Sequence, residues 1–266
     1  MSKCINIFSL KNKTVLLTGA TGHLGCEMAL GLAEAGAHVL VNSRSKQRAH
    51  IVVEELKKLG YLAEPAVFDI TSEVEVALFA ENFKSRVLHV LINNAYVGGA
   101  GSIENVSTKD FIDSYDVTLV AAHRLIQTLL PNLRLGVKES GGASIINISS
   151  MYALVSPDQR IYESQKLVNP PFYGAAKAAL LQWTRYLACE FGKEGIRANS
   201  MSPGPFPSPH VQIENPSFIK RLEQKVPLGR LGEAREIKGP LLFLASSASS
   251  YVTGSNLTVD GGWTAW

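Results

Sequence analysis

Short apolar runs rich in Val and Ile recur along the chain at 14–17, 39–42, 66–68, 90–92, 144–148, 197–200 and 256–259, each the length of a strand. Between most of them lie helix-length stretches with apolar residues on one face. Leu24, Met28, Leu32 and Ala35 form one such face, and Leu180, Trp183, Leu187 and Phe191 another. Strand and helix in alternation predict an α/β fold, a doubly wound, seven-stranded parallel sheet with helices on both faces. Val15-Leu16-Leu17 and Ile145-Ile146 show no polar alternation, as strands covered on both sides should not. Two segments break the rhythm. Residues 156–171 are polar and end in Pro170-Pro171, while residues 203–216 hold five prolines and His210. Both read as loops, and long loops at the carboxyl ends of parallel strands are where such folds place their sites. No repeat or linker divides the chain, so residues 1–266 are expected to form one domain.

Composition narrows the function classes. At 266 residues, with 46% hydrophobic and 18% charged positions, the chain can build an ordinary core without staples. Cys4, Cys26 and Cys189 are odd in number, scattered and without CxxC spacing, which suits a reducing cytoplasm and simple thiol packing. The apolar stretch at 5–10 is interrupted by Asn6 and Ser9 and is far too short to span a bilayer, so no membrane association is expected. A net charge of +3 without basic runs argues against nucleic acid as a partner. His23, His38, His50, His89, His123 and His210 show no ligand clustering, and no metal site is expected.

The first strand runs into Thr18-Gly19-Ala20-Thr21-Gly22-His23-Leu24-Gly25. Gly19 permits a tight turn, Gly22 lets backbone approach a pyrophosphate, and Gly25 lets the next helix pack on the sheet. That helix would aim its free N–H groups and positive dipole end at phosphates. The second strand ends in Asn42-Ser43-Arg44-Ser45, with no carboxylate to hold the two ribose hydroxyls of NAD. Arg44 could instead pair with a 2′-phosphate, so NADP(H) is expected over NAD(H); the other reading of Arg44 is a solvated loop charge.

Tyr173 and Lys177 stand four apart in a helical run, on one face. A free tyrosine titrates near pH ~10. An ammonium about 4 Å away, at an effective dielectric of ~20, would favour the phenolate by up to ~4 kcal/mol. Upstream, the strand at 144–148 delivers Ser149-Ser150 at its carboxyl end, where a hydroxyl can bond a substrate carbonyl.

These residues, in this order, resemble the short-chain dehydrogenase/reductase family over nearly the whole chain. The matching landmarks are TGATGHLG at 18–25, Asp69, Asn93-Asn94-Ala95, Ser150, Tyr173 with Lys177, Pro203-Gly204, and Val259-Asp260-Gly261-Gly262. The resemblance implies a Rossmann-like fold and hydride transfer between the dinucleotide and a carbonyl/alcohol substrate. It implies Tyr173 as general acid/base, Ser150 orienting the substrate, and Lys177 holding the nicotinamide ribose and lowering the Tyr173 pKa. Cofactor contacts would come from Gly19, Thr21, Gly22, His23, Leu24, Gly25, Arg44, Asp69 (on the adenine), Ile70, Asn94, Ala95, Tyr173, Lys177, Pro203 and Gly204. Asn93 to Ala95 would also brace the central sheet, and the segment after Pro203-Gly204 would close over nicotinamide and substrate. A homodimer or homotetramer is implied.

The chain departs from the family pattern at three places. His23 stands where a glycine is usual in the single-domain branch, and the glycine spacing is commoner among nucleotide-sugar epimerases and dehydratases, an alternative function. Thr118, in Val117-Thr118-Leu119, replaces an Asn that supports a water leading protons to the lysine. A relay without that amide leaves a cofactor-sensing regulator as a further alternative. Third, the interval from Ser150 to Tyr173 is lengthened by residues including Asp158, Gln159, Arg160, Tyr162, Glu163 and Gln165. The stretch resembles bacterial sugar-processing oxidoreductases. If it lines the entrance, the substrate is a sugar, sugar acid or polyol; otherwise it is a surface elaboration.

Overall fold

The computed structural model describes residues 6–266; Cys4 lies outside them. The seven expected strands are present: β1 Thr14–Leu17, β2 His38–Ser43, β3 Ala63–Val67, β4 Val90–Asn93, β5 Ala143–Ile148, β6 Ile196–Pro203 and β7 Asn256–Val259. All pair in parallel in the order β3-β2-β1-β4-β5-β6-β7. The chain winds outward from β1 to β3, then returns to β4 on the other side. A Rossmann-like sheet therefore opens a crevice between the carboxyl ends of β1 and β4.

Consecutive strand residues feed opposite cores, as the pleat requires. Val15, Leu17, Val39, Val41 and Ile146 pack with α1 (His23–Glu34), α2 (Lys46–Lys58) and the last helix, Lys238–Ala245. Leu16, Leu40 and Ile145 pack on the other side with α3 (Glu73–Phe83), α5 (Ala121–Ser140) and α6 (Pro171–Phe191). Between them α4 (Thr108–Tyr115) runs into α5 through a π-turn at Asp116–Val120.

Two expectations need correction. The third strand starts at Ala63, three residues before the apolar run, and contains Pro65. Proline is admitted because β3 is an edge strand, where a missing N–H need not break a ladder. The 203–216 segment is also not loop throughout: α7 (Pro209–Glu214) and α8 (Pro216–Glu223) follow β6. Each opens on a proline at its first turn, where the absent N–H has no helical partner to lose. The final helix, Lys238–Ala245, becomes α9. Residues 156–171 hold one 3₁₀ turn, Gln159–Ile161, before Pro171 starts α6.

Candidate active site

A crevice of about 710 Å³ lies over β1, β2 and β4. Gly19, Thr21, Gly22, His23, Leu24, Gly25, Arg44, Asp69, Ile70, Asn94 and Ala95 all line it. Gly19 has φ +62°, and a Cβ there would stand 2.9 Å from Ala95 Cα. Gly25 is closed to any side chain, since its Cβ would fall 2.2 Å from Gly19 O. At Gly22 the nearest such contact is 3.5 Å, so backbone there faces open crevice. Gly22 caps α1 without a side-chain bond, leaving first-turn N–H groups for an anionic ligand. Thr18 and Asn94 stitch the floor: Asn94 N and Ala95 N donate to Thr18 Oγ1 at 2.9 and 3.0 Å, and Asn94 Nδ2 donates to Thr18 O at 2.9 Å.

At the β2 end, Asn42 is buried and donates to Ala66 O and Phe68 O, so its amide serves the sheet. Arg44 is mostly exposed, with Nη1 3.6 Å from Asp69 Oδ2. Burial pushes the Asp69 carboxyl up, but two bonds from Thr71 and the Arg44 guanidinium hold it below its ordinary range. Arg48 lines the same end, on the first turn of α2, which Ser45 caps. The crevice thus offers N–H donors at one point and two guanidinium groups at another. That fits the diphosphate and adenosine end of a nicotinamide dinucleotide.

The second part of the site stands at the end of β5. Of the two serines, Ser149 is structural: its Oγ donates to Lys177 O at 2.9 Å, tying α6 to the sheet. Ser150 Oγ accepts from Tyr152 N at 3.1 Å, and its hydroxyl is near enough to Tyr173 to favour the phenolate there. Lys177 is buried, and its Nζ donates to Ile148 O at 2.7 Å. Dehydration lowers its pKa to about 8. Tyr173 is raised above its ordinary value by burial, with Ser150 as the opposing influence. The expected lowering by Lys177 is therefore not what this arrangement produces. The ammonium lies 5.9 Å from the Tyr173 ring centroid and spends its hydrogen bond on a carbonyl.

Thr118 sits in the π-turn, buried, with its Oγ1 unpartnered among the described residues. Asn93 Oδ1 is likewise unpartnered, although Asn93 Nδ2 donates to Asn147 Oδ1 at 2.8 Å. Both residues border a void of about 10 Å³ that Lys177 also lines. That is room for one water, with polar partners on three sides. Pro203 and Gly204 do not line the crevice; nor do Ser150, Tyr173 and Lys177, of which the last two adjoin it through Tyr96. Gly204 N donates to Val259 O, and a Cβ on Gly204 would fall 2.5 Å from Asp260 Cα, so the pair seats the segment leading to α7 against β7.

Three neighbours of the site were not picked out in the sequence. Tyr96 meets Tyr173 edge-on, ring centroids 4.7 Å apart, and its own centroid is 5.5 Å from Lys177 Nζ. Tyr152 pairs its hydroxyl with that of Tyr162 at 3.1 Å. Arg48 is the third. Only position hinted at them: Tyr96 directly follows Asn93-Asn94-Ala95, and Tyr152 follows Ser150 by two.

Sheet, crevice and polar cluster together define an oxidoreductase that uses a nicotinamide dinucleotide. The comparisons with known proteins make the class specific. The family profile described as Enoyl-(Acyl carrier protein) reductase matches residues 19–264. The chain is 32% identical to the 7alpha-hydroxysteroid dehydrogenase of Escherichia coli strain K12, covering 95% of this chain and 94% of that one. It is 31% identical to the L-rhamnose-1-dehydrogenase of Scheffersomyces stipitis, covering 95% and 96%. The crystal structure of a gluconate 5-dehydrogenase from Burkholderia cenocepacia J2315, in complex with NADP and tartrate, superposes with TM-score 0.87 at 28% identity, covering 99% of both chains. The chain belongs to the single-domain short-chain dehydrogenase/reductase family. It is an NAD(P)-dependent oxidoreductase acting on CH–OH or C=O groups.

Proposed function

We propose that this chain transfers hydride between NADP(H) and a neutral, hydroxylated carbonyl/alcohol pair, such as a sugar or polyol. The observation that carries the reading is the convergence of Ser150, Tyr173 and Lys177 beside a crevice whose far end holds Arg44 and Arg48. Bound nicotinamide would supply the hydride in reduction and receive it in oxidation. Tyr173 Oη gives a proton to the carbonyl oxygen, and Ser150 Oγ donates a hydrogen bond to the same atom. A phenol raised by burial is fully protonated at neutral pH, so Tyr173 stands loaded as an acid for reduction. Lys177 would hold the nicotinamide ribose of the bound dinucleotide. Thr118 and Asn93 hold a water against Lys177, through which Tyr173 is reprotonated.

Support for the substrate class comes from a cavity of about 680 Å³ beside Tyr152 and Gly174. Ser102, Glu104, Gln159, Gln165 and Asn169 line it; a carboxylate among amides and hydroxyls suits a neutral polyhydroxylated molecule better than a sugar acid. Tyr186 and Ile112 are exposed on α6 and α4, and Tyr251 and Trp266 near β7, apolar surfaces that suit a homodimer or homotetramer. The compartment we infer is the cytoplasm. Purified protein screened with NADPH and NADH against neutral ketoses, sugar acids and steroid ketones tests the reading. Oxidation of NADPH with a neutral polyhydroxylated carbonyl is expected; turnover confined to sugar acids or steroid ketones overturns the substrate class.

A further inference from the structure

The lengthened interval before Tyr173 does not use its charges on the cavity. Asp158 pairs with Arg160 at 2.8 Å and with Lys225. Glu163 accepts from Ser217 Oγ at 3.1 Å and from Arg221 Nη2 at 3.2 Å. Arg221 Nε also donates to Ile161 O at 2.7 Å. Every one of these bonds to Ser217, Arg221 or Lys225 crosses from residues 158–163 to α8 or the turn after it. Beneath them lies an apolar cluster in which Ile161 and Tyr162 meet Phe218, Leu222 and Val226, together with Met151 and Trp263. Met151 belongs to the turn that Ser150 caps, and the Tyr162 hydroxyl meets that of Tyr152 in the same turn.

We propose that residues 156–171 and α8 form one rigid cover, with Arg221 as the positioning residue that sets where it stands over Ser150 and Tyr173. The proposal rests on the oxidoreductase reading for its catalytic consequence, but the mechanical coupling is independent of it. Arg221 suits the task because its planar fork serves a backbone carbonyl and a carboxylate together, which a lysine cannot copy. Its partner Ile161 O belongs to the buried end of the 3₁₀ turn, so losing the guanidinium removes the carbonyl bond and the Glu163 bond together, leaving the seam to Lys225–Asp158, Ser217–Glu163 and the apolar cluster. Lysine at this position would keep the charge facing Glu163 and lose the fork.

Two measurements on the full chain test this. In steady-state kinetics, Arg221→Ala is expected to raise KM for the carbonyl substrate about tenfold while the Kd for NADPH stays within about twofold, with Arg221→Lys between. An unchanged KM, or equal loss in KM and NADPH binding, overturns the positioning role. In hydrogen exchange, Glu163→Gln is expected to speed exchange across α8 as well as in residues 158–163, and Arg221→Ala to do the same in reverse. Exchange altered only in the substituted segment overturns the single cover. If the wild-type protein reduces no carbonyl, the oxidoreductase reading fails, and hydrogen exchange still decides the coupling.

Discussion

Tyr173 and Thr118 are the residues at which the chemistry is most exposed to test. Tyr173→Phe removes one hydroxyl and leaves the ring edge against Tyr96, so folding and NADPH binding should survive. Turnover should fall by roughly 10² or more, measured as kcat under saturating cofactor; a variant keeping most of its turnover rules Tyr173 out as the proton donor. Thr118 is a subtler case. Its hydroxyl faces a water-sized void with no protein partner, so Thr118→Val should slow turnover severalfold without moving KM. Thr118→Asn should match or exceed the native rate if the void admits the amide. Equal rates for Val and Thr would mean that protons do not pass here. The serine, tyrosine and lysine were legible because their types and spacing carry chemistry. Tyr96 was not, because an aromatic after a strand reads equally well as core, and only the fold turns its ring onto Tyr173.

Among the elements, the alternation of apolar runs made the sheet legible, while the exceptions trace to proline. Pro65 hid the start of an edge strand, and Pro209 and Pro216 disguised two helix starts as a loop. The end of β2 shows what an element junction can decide. Asn42 is consumed by β3 and the residue after it, Ser43 and Ser45 bond locally, and Arg44 with Arg48 supplies the positive charge at this end of the crevice. A guanidinium–phosphate bond contributes about 1.5–3 kcal/mol before screening, and Arg44 is largely exposed and shares its charge with Asp69. NADPH should therefore be preferred over NADH by roughly ten- to a hundredfold in kcat/KM. Arg44→Ala should remove most of that preference by harming NADPH use alone. Ser43→Asp should reverse it, since a carboxylate there can hold ribose hydroxyls and repel a phosphate. Equal kcat/KM for the two cofactors in the native enzyme, or equal loss of both in Arg44→Ala, would count against Arg44 as the phosphate anchor.

At the scale of the whole molecule, Lys177 sets catalysis against stability. Its ammonium is buried among the rings of Tyr96 and Tyr173, with Ile148 O as its hydrogen-bond partner and no carboxylate in contact among the described residues. Burial lowers its pKa from 10.5 to about 8. The folded state therefore holds the proton less tightly than the unfolded one. Below pH 8 both states are protonated, and the full cost of the buried charge, about 3 kcal/mol, falls on folding. Between pH 8 and 10.5 the unfolded chain binds more protons than the folded one, so this contribution to stability rises with pH across that window. Lys177→Met fills the same space without charge and gives up one charge-assisted bond worth about 1.5–3 kcal/mol. The variant should lose turnover and yet unfold no earlier at pH 7, and later by up to about 1.5 kcal/mol or some 3–6 °C. The advantage should shrink as pH is raised toward 10.5, because the native lysine sheds its charge. Saturating NADPH should narrow it further if Lys177 holds the ribose, since ligand then stabilises the native enzyme more than the variant. Thermal unfolding of both proteins from pH 7 to 10.5, with and without NADPH, reads each of these differences. A Lys177→Met protein that is less stable at pH 7, by a margin that does not change with pH, would show that the ammonium supports the fold it is buried in.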